Sequence, residues 1–144
     1  MSRKVATLCS EQRHPGVVLV AGDAMDLHAL LLDSMPDIVF AKDLDGRYIA
    51  GNAAWARLLG QPARTLIGQL DSDLFPQDLA SDFRRNDLAM LEGGQPQRNE
   101  EWVTYPDGRQ ALLETIKSPL RDAAGNVMGL VGVCREISAN KTSR

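Results

Sequence analysis

Apolar residues recur with two different periods along this chain, and these periods predict both strands and helices. A run of β-favouring residues at 38–41 leads into a turn at Asp43–Gly46, and a second short apolar run begins at Tyr48. Asn52 follows that run, and its side chain can cap a helix that begins at Ala53. This part of the chain therefore predicts a tight hairpin followed by a capped helix.

Three further helical segments follow. Pro62 suits the first turn of a short helix that ends near Leu66. The sequence Asp71-Ser72-Asp73 offers caps for a single turn at Leu74-Phe75. From 77 to 92 the apolar residues lie mostly three or four positions apart, which predicts a long helix that ends at Gly93-Gly94.

The last third of the chain favours strands. We predict strands at 100–105, 110–117 and 127–135, with Asp107-Gly108 forming the first connecting turn. Because proline cannot donate a backbone hydrogen bond, Ser118-Pro119 is expected to bend or end the hydrogen-bonded ladder there. Five strands with a helical segment between the second and third predict an α+β fold, a five-stranded antiparallel sheet with helices on one face.

An amphipathic helix is also expected at 23–34, before the first hairpin, with Asp23 at its cap. Its apolar residues do not form one stripe, so a second face needs its own packing partner. The same helix of a second chain would serve, which predicts a homodimer. The alternative is that both faces are buried within one chain. The expected dimer contacts are Met25, Leu27, Leu30 and Leu31.

Composition narrows the classes of function. The chain has 144 residues, 44% of them hydrophobic, and a net charge of −3, which predicts one globular domain without a basic field for nucleic acid. No apolar run approaches the length of a membrane span, so we expect a cytoplasmic location without membrane insertion. Residues 1–22 lack periodicity and are expected to form a flexible leader. The separation of Cys9 and Cys134 supports neither a disulfide framework nor a zinc cluster.

The sequence contains few groups of residues that could act together in catalysis. His14 lies in the expected leader and His28 among leucines, so neither has a catalytic or metal-binding neighbourhood in sequence. Asp71 and Asp73 could form a carboxylate pair, but we interpret them as caps of the one-turn helix. We therefore predict neither catalysis nor a metal site.

Several short motifs together resemble a known family. Pro36-Asp37, Lys42-Asp43 with Gly46-Arg47, and Asn52 with Trp55 are similar to the opening of a PAS domain, a sensory module of bacterial signalling proteins. The resemblance continues through 68–76, Tyr105–Arg109 and 129–138, and spans about 24–138. It implies the PAS fold with an N-terminal flanking helix, and a sensing or dimerising role.

The resemblance also bears on ligands. Haem-binding members generally use a His on the long helix, and members that form a flavin adduct carry a Cys before it. Residues 77–92 hold no His and 74–77 hold no Cys, so neither cofactor is expected, while non-covalent flavin stays open. A small organic ligand would lie between helices and sheet, with Thr104 and Thr115 as hydrogen-bond partners and Arg84 or Arg85 at the mouth. The alternative is a packed interior without ligand. The expected walls are Phe40, Ile49, Trp55, Leu58, Leu74, Phe83, Met90, Trp102, Leu113, Thr115, Val131 and Val133.

The end of the resemblance suggests how a signal would leave the domain. Glu136-Ile137-Ser138 is similar to the Asp-Ile-Thr motif that ends many PAS domains. There the carboxylate is expected to pair with Lys42 or Arg47, and Ser138 to cap a following helix. Residues 139–144 would then begin a linker to an output domain, as in a sensor histidine kinase or a cyclic-dinucleotide enzyme. The alternative function is a ligand-free interaction and dimerisation module.

Overall fold

The computed structural model describes residues 27–137, and the expectations for the leader, Asp23, Met25, Ser138 and the linker at 139–144 lie outside that range. In chain order the helices and strands are α1 (Leu27–Asp33), β1 (Ile38–Asp43), β2 (Tyr48–Gly51), α2 (Ala53–Leu59), α3 (Ala63–Leu66), α4 (Asp71–Leu74), α5 (Gln77–Gly93), β3 (Gln97–Thr104), β4 (Gln110–Arg121) and β5 (Val127–Glu136).

The five strands form one antiparallel sheet in the order β2-β1-β5-β4-β3. The last strand therefore lies in the middle, between the first strand and the β3–β4 hairpin. Helices α2 to α5 occupy the connection from β2 to β3. This arrangement confirms the predicted α+β fold, because every strand pairs antiparallel and the helices lie between the second and third strands.

Local chemistry explains the first hairpin and the helix that follows it. Gly46 adopts a φ of 89°, a conformation that residues with a Cβ atom rarely reach, and so lets the chain reverse between β1 and β2. Asn52 caps α2 as predicted, since its Oδ1 accepts from the Trp55 backbone N–H at 3.1 Å. The same side chain accepts from Val39 N–H and donates to the carbonyls of Leu32 and Asp37, which joins α1, β1 and α2.

The core lies between one face of the sheet and the helices. Trp55 and Leu58 of α2 pack there with Phe40 of β1 and Leu113 of β4, and each is at most 9% exposed. Gly132 of β5 lies opposite Phe40, and a Cβ atom on it would come within 2.3 Å of the Phe40 ring. A glycine is therefore required for the ring to lie across β5.

The ladder was expected to bend or end at Ser118-Pro119, and on one side of the fourth strand it does end there. Strand β4 continues to Arg121 and pairs with β5 along this stretch, with Pro119 opposite Leu130. The pairing with β3 ends at Lys117, opposite Gln97. From Ser118 onward β4 is therefore an edge on one side, and proline is tolerated there because its missing N–H can face the unpaired side.

Candidate functional site

A cavity lies between the inner face of the sheet and the helices. Its free volume is about 40 Å³, which is room for a few water molecules and far below the roughly 300 Å³ or more of ordinary small-molecule sites. Six residues that were predicted as walls line it: Phe40, Trp55, Leu58, Phe83, Leu113 and Thr115. Its other lining residues are Ile38, Lys42, Tyr48, Phe75, Glu101, Val103, Lys117 and Cys134.

A cluster of buried charges closes one side of this cavity. Lys42 Nζ lies 2.5 Å from Asp71 Oδ2 and 2.8 Å from Asp87 Oδ2. Lys117 Nζ lies 2.8 Å from the other oxygen of Asp87, and the Tyr48 hydroxyl donates to Asp71 Oδ1 at 2.6 Å. We call these five residues the buried charge cluster. It fastens α4 and α5 to the inner face of the sheet, because the aspartates come from the helices and the other three residues from strands.

Burial and charge together set the protonation of this cluster. Burial raises the pKa of Tyr48 well above its ordinary value, and the carboxylate of Asp71 raises it further. Burial alone would lower the pKa of Lys117, but the carboxylates of Asp87, Glu101 and Asp71 together outweigh that effect and hold the pKa above its usual value. The side chains of Tyr48 and Lys117 therefore both keep their protons at neutral pH.

Two polar atoms of cavity-lining residues are buried without a hydrogen-bond partner among the described residues. These atoms are the indole Nε1 of Trp55 and the Oε2 of Glu101. The other Glu101 oxygen accepts from the Thr115 hydroxyl at 3.2 Å. Thr115 also contacts the Cys134 thiol, whose pKa burial raises to about 11. Two residues that line the cavity thus carry one unpaired donor and one unpaired acceptor among the described residues.

Seven of the predicted wall and hydrogen-bonding residues lie elsewhere. Met90 is fully buried and Leu74 packs on the core, but neither is among the residues that line the cavity. The other five belong to strands and do not reach the cavity: Ile49, Trp102, Thr104, Val131 and Val133.

Strand alternation explains four of these five differences. Adjacent strand residues point to opposite faces, so a shift of one position exchanges inside for outside. On β3 the inward residues are Glu101 and Val103, while Trp102 is 55% exposed. On β5 Cys134 points inward, which places Val131 and Val133 on the outer face. Beside the β1–β2 bulge, Tyr48 is buried and Ile49 is 40% exposed.

The expected pairing of Glu136 with Lys42 or Arg47 was wrong. Strands β1 and β5 run antiparallel with Lys42 opposite Leu130, so Glu136 lies six positions, or about 20 Å, further along β5. Glu136 instead accepts from Arg109 Nη1 at 3.0 Å. Lys42 belongs to the buried charge cluster, and Arg47 donates to the carbonyl of Gly68.

Arg84 and Arg85 do not stand at the mouth of the cavity. Arg85 is exposed and pairs with Asp82 one turn earlier on α5. Arg84 donates to the carbonyl of Leu44, beside the turn between β1 and β2. Neither arginine is therefore placed to neutralise a ligand carboxylate inside the domain.

The residues expected at a dimer contact lie on α1, in so far as they are described. Leu30 is 64% exposed, Leu31 is 58% exposed and Leu27 is half-buried. None of the seven residues of α1 is buried in the single chain. The helix therefore presents apolar surface that residues 27–137 leave uncovered.

Sequence reasoning missed the buried charge cluster, although one signal for it was present. Asp87 lies four positions after Phe83 and three before Met90, inside the buried stripe of α5. A carboxylate in such a stripe implies a buried cation. The interpretation of Asp71 as a cap was wrong, since its carboxylate bonds Lys42 and Tyr48. Asp73 does act as a cap and accepts from Leu70 N–H at 3.0 Å.

Metal and membrane sites were sought as well. Within residues 27–137 no three or more His, Cys, Asp or Glu side chains are grouped so that they could hold a metal ion. None of the helices in this range combines the length and apolar character required to cross a bilayer. The candidate site considered below is the buried charge cluster with the cavity that it borders.

The sheet order, together with the cavity that the helices cover, defines a small α+β domain whose candidate site lies between the helices and the sheet. A family model described as the PAS fold matches residues 32–142, and the chain belongs to that family. The resemblance seen in the sequence is thereby confirmed. PAS domains are regulatory modules, and the relatives that match this chain include sensor proteins, a histidine kinase and a diguanylate cyclase.

Two of these relatives are a sensor protein and a diguanylate cyclase. The aerobic respiration control sensor protein ArcB of Escherichia coli is 31% identical over 110 residues, which are 76% of this chain and 14% of ArcB. A diguanylate cyclase of Vibrio cholerae is 31% identical over 114 residues, covering 78% of this chain and 36% of the cyclase. The chain thus corresponds to a small part of the relatives it matches.

A solved structure shows the same fold. The Vibrio cholerae VqmA protein, in a complex with ligand and DNA, superposes with a TM-score of 0.72 at 24% identity. The match covers 81% of this chain and 54% of VqmA.

Proposed function

We propose that this chain is the sensory input module of a signalling protein, and that the buried charge cluster with its cavity reads the signal. The observation that supports this proposal is a four-charge cluster inside a 111-residue fold, built from Lys42, Lys117, Asp71 and Asp87, each at most 7% exposed. Burying charges is costly, and packed apolar residues of similar volume often stabilise a fold as well or better. Perturbed ionisable groups that line a cavity are characteristic of functional sites.

The position of the cluster suggests how a ligand would act. The cavity of about 40 Å³ is too small for an organic molecule, so entry of one requires surrounding side chains or helices to move. Because the cluster joins α4 and α5 to the sheet, a ligand that competes for Lys42 or Lys117 would loosen those helices. A ligand with higher affinity for the loosened form would shift the population towards it.

The structural change that a ligand causes would be transmitted out of the domain through the end of β5. Glu136 joins that end to the β3–β4 hairpin through Arg109, whose guanidinium lies 4.2 Å from the ring of Tyr105. We infer that this contact couples the sheet to the chain that follows it. We further propose a homodimer through the exposed leucines of α1, a cytoplasmic location and no role in nucleic-acid binding, which the net charge of −3 does not favour.

The proposal is tested by asking what the purified chain binds. Denaturing mass spectrometry of purified protein, followed by thermal-shift measurements with fractionated metabolite extracts, is expected to identify a small molecule that raises Tm. The variant Lys117→Met should abolish that shift, whereas Arg121→Met, on the exposed end of β4, should retain it. Absence of any bound or binding molecule would contradict the proposal.

A second candidate is a dimerisation module without ligand. The small cavity favours it, and so does the outer face of the sheet, where β-branched residues of three strands lie side by side. Under this alternative a partner protein, rather than a metabolite, would raise Tm. The outer-face residues that support it are Val39, Ile116, Val131 and Val133.

A further inference from the structure

A second cleft lies on the surface of the domain, between the β1–β2 turn and the helices α4 and α5. It is open to solvent, and its free volume is about 250 Å³. None of the residues that line it also lines the interior cavity. We call it the surface cleft. The lining residues on which the following argument depends are Asp45, Gly46, Ser72, Gln77, Ser81 and Arg84.

Arg84 of α5 brings an unpaired positive charge to the surface cleft. Its Nη2 donates to the carbonyl of Leu44 at 3.2 Å, and its Nη1 is buried without an acceptor among the described residues. Within residues 27–137 the guanidinium forms no ion pair. Arginine keeps its proton in proteins, and a charged donor that is buried without a partner destabilises the fold. A ligand with a negatively charged oxygen would remove that cost.

The β1–β2 turn determines where this guanidinium lies. Gly46 has a φ of 89°, and a Cβ atom on it would come within 2.7 Å of Arg84 Nη1. Because glycine has no Cβ atom, the guanidinium can lie against the backbone of the turn. Its unpaired nitrogen is therefore next to the residue that follows Asp45 in the chain.

Asp45 brings the opposite charge to the same cleft. The residue is exposed, and within the described range its carboxylate has neither a hydrogen bond nor an ion pair. The other carboxylate of the cleft, that of Asp71, is already paired with Lys42. The surface cleft thus holds one unpaired cation and one unpaired anion, and a ligand with charge of only one sign is attracted by one and repelled by the other.

Uncharged side chains complete the wall of the surface cleft. Ser72 of α4 and Ser81 of α5 contribute hydroxyl groups, and Gln77 contributes an amide. Each of these groups can both donate and accept a hydrogen bond. The free volume is below the roughly 300 Å³ at which sites for drug-sized ligands begin, so the cleft suits a molecule of few atoms.

We propose that the surface cleft binds a small zwitterion of the class of α-amino acids with short side chains. The carboxylate of the ligand bonds the Arg84 guanidinium, which turns from the Gly46 backbone to present Nη1, and the ammonium bonds the Asp45 carboxylate. The ligand thereby joins the β1–β2 turn to α5. This site is separate from the interior cavity and does not depend on the function proposed for that cavity.

Three probes that differ by one charged group test the class of ligand. L-Alanine is a zwitterion, propionate lacks its ammonium, and ethylammonium lacks its carboxylate. In a titration followed by nuclear magnetic resonance, L-alanine should shift the backbone N–H signal of Gly46 and the Nε–H signal of Arg84. Propionate and ethylammonium at the same concentration should shift them less than a tenth as far. The indole N–H of Trp55, which lines the interior cavity, is an internal control and should not move.

The chain offers matched control variants. Arg84→Gln and Asp45→Asn should each weaken L-alanine binding at least tenfold. Arg85→Gln and Asp82→Asn change an exposed ion pair on the same helix, outside the surface cleft, and should leave binding unchanged. Urea denaturation of each variant verifies that it is folded. If Arg84→Gln does not fold, Asp45→Asn still decides the question.

The outcomes separate this site from the interior cavity. Absence of L-alanine binding, or propionate or ethylammonium binding as tightly as L-alanine, would overturn the proposal. So would Arg84→Gln and Asp45→Asn binding L-alanine like the parent chain. A shift of the Trp55 signal that persists in both variants would place the amino acid in the interior cavity and overturn it as well. Each of these results would leave the sensory function standing, because that function is argued from the buried charge cluster.

Discussion

Lys42 is the cation of the buried charge cluster that contacts both aspartates. Its ammonium lies between the carboxylates of Asp71 and Asp87, and the residue is 2% exposed. Lys42→Met would leave those carboxylates buried with Lys117 as the remaining cation. We expect a loss of about 3–5 kcal/mol in the free energy of unfolding, measured by urea denaturation.

An exposed ion pair serves as the control for that measurement. Arg85→Met removes the partner of Asp82, where both side chains are more than half exposed. Such pairs contribute at most about 1 kcal/mol, so the variant should unfold almost as the parent chain does. Equal effects of the two substitutions would show that the buried charge cluster contributes no more than a surface contact.

Cys134 makes stability depend on pH in the alkaline range. Burial raises its pKa from 9.0 to about 11, so the folded state holds the thiol proton at a pH where the unfolded chain has released it. Its contribution is complete below pH 9 and is lost as the pH rises towards 11, by up to about 3 kcal/mol.

The measurement is the free energy of unfolding at several pH values from 8 to 12, for the parent chain and for Cys134→Ala. The difference between the two proteins isolates the thiol, because Tyr48 and the lysines titrate in both. The parent chain should lose more stability between pH 9 and 11 than the variant. Parallel curves would contradict the assignment.

At the scale of elements, the end of β5 is held to the β3–β4 hairpin by Glu136 and Arg109. Arg109→Ala and Glu136→Ala should each change the free energy of unfolding only slightly, because the arginine is exposed and water screens the pair. In a fusion of this chain to a histidine kinase output domain, both should nevertheless change signal-dependent autophosphorylation.

Another cross-strand pair tests whether that effect is specific. Arg98 on β3 pairs with Glu114 on β4, which lies opposite Arg135 and therefore on the other face of the sheet from Glu136. Arg98→Ala should affect stability to a similar extent and leave kinase regulation intact. If kinase output falls equally in all three variants, the contact at Glu136 has no special part in coupling.

The elements also show what the sequence could and could not predict. Helices with local signals, such as the Asn52 cap and the Gly93-Gly94 end, were predicted within a residue or two. The residues that line the cavity were harder to predict, because adjacent residues of a strand point to opposite faces of the sheet. Trp102 was expected to line the cavity, yet Glu101 lines it instead. Hydrophobicity alone misassigns a face wherever a buried polar group belongs to the site.

At the scale of the whole molecule, the exposed leucines of α1 predict association. Leu30→Glu with Leu31→Glu should convert a homodimer to a monomer, or weaken dimerisation at least tenfold, since each charge would enter an apolar contact. Light scattering after size exclusion measures the mass. Leu88→Glu, at a leucine on α5 that is 47% exposed, is the control and should not change it. A monomeric parent chain at high concentration would contradict the prediction.

The overall topology was predicted better than its long-range contacts. Turn residues and periodicity act locally, so five strands and the intervening helices could be derived from short stretches of sequence. The partners of Lys42 lie 29 and 45 positions away, and only the folded chain brings them together. The resemblance to PAS domains predicted the fold, but it did not predict the buried charge cluster of this chain.

Pro119 has a consequence for the behaviour of the protein in concentrated solution. Strand β4 extends past the end of β3, and its last residues offer backbone groups to any strand that arrives from another molecule. Open strand edges of this kind are where chains stack into insoluble aggregates, and proline is among the residues that prevent it. Pro119 therefore protects the unpaired edge of β4 from pairing with another chain.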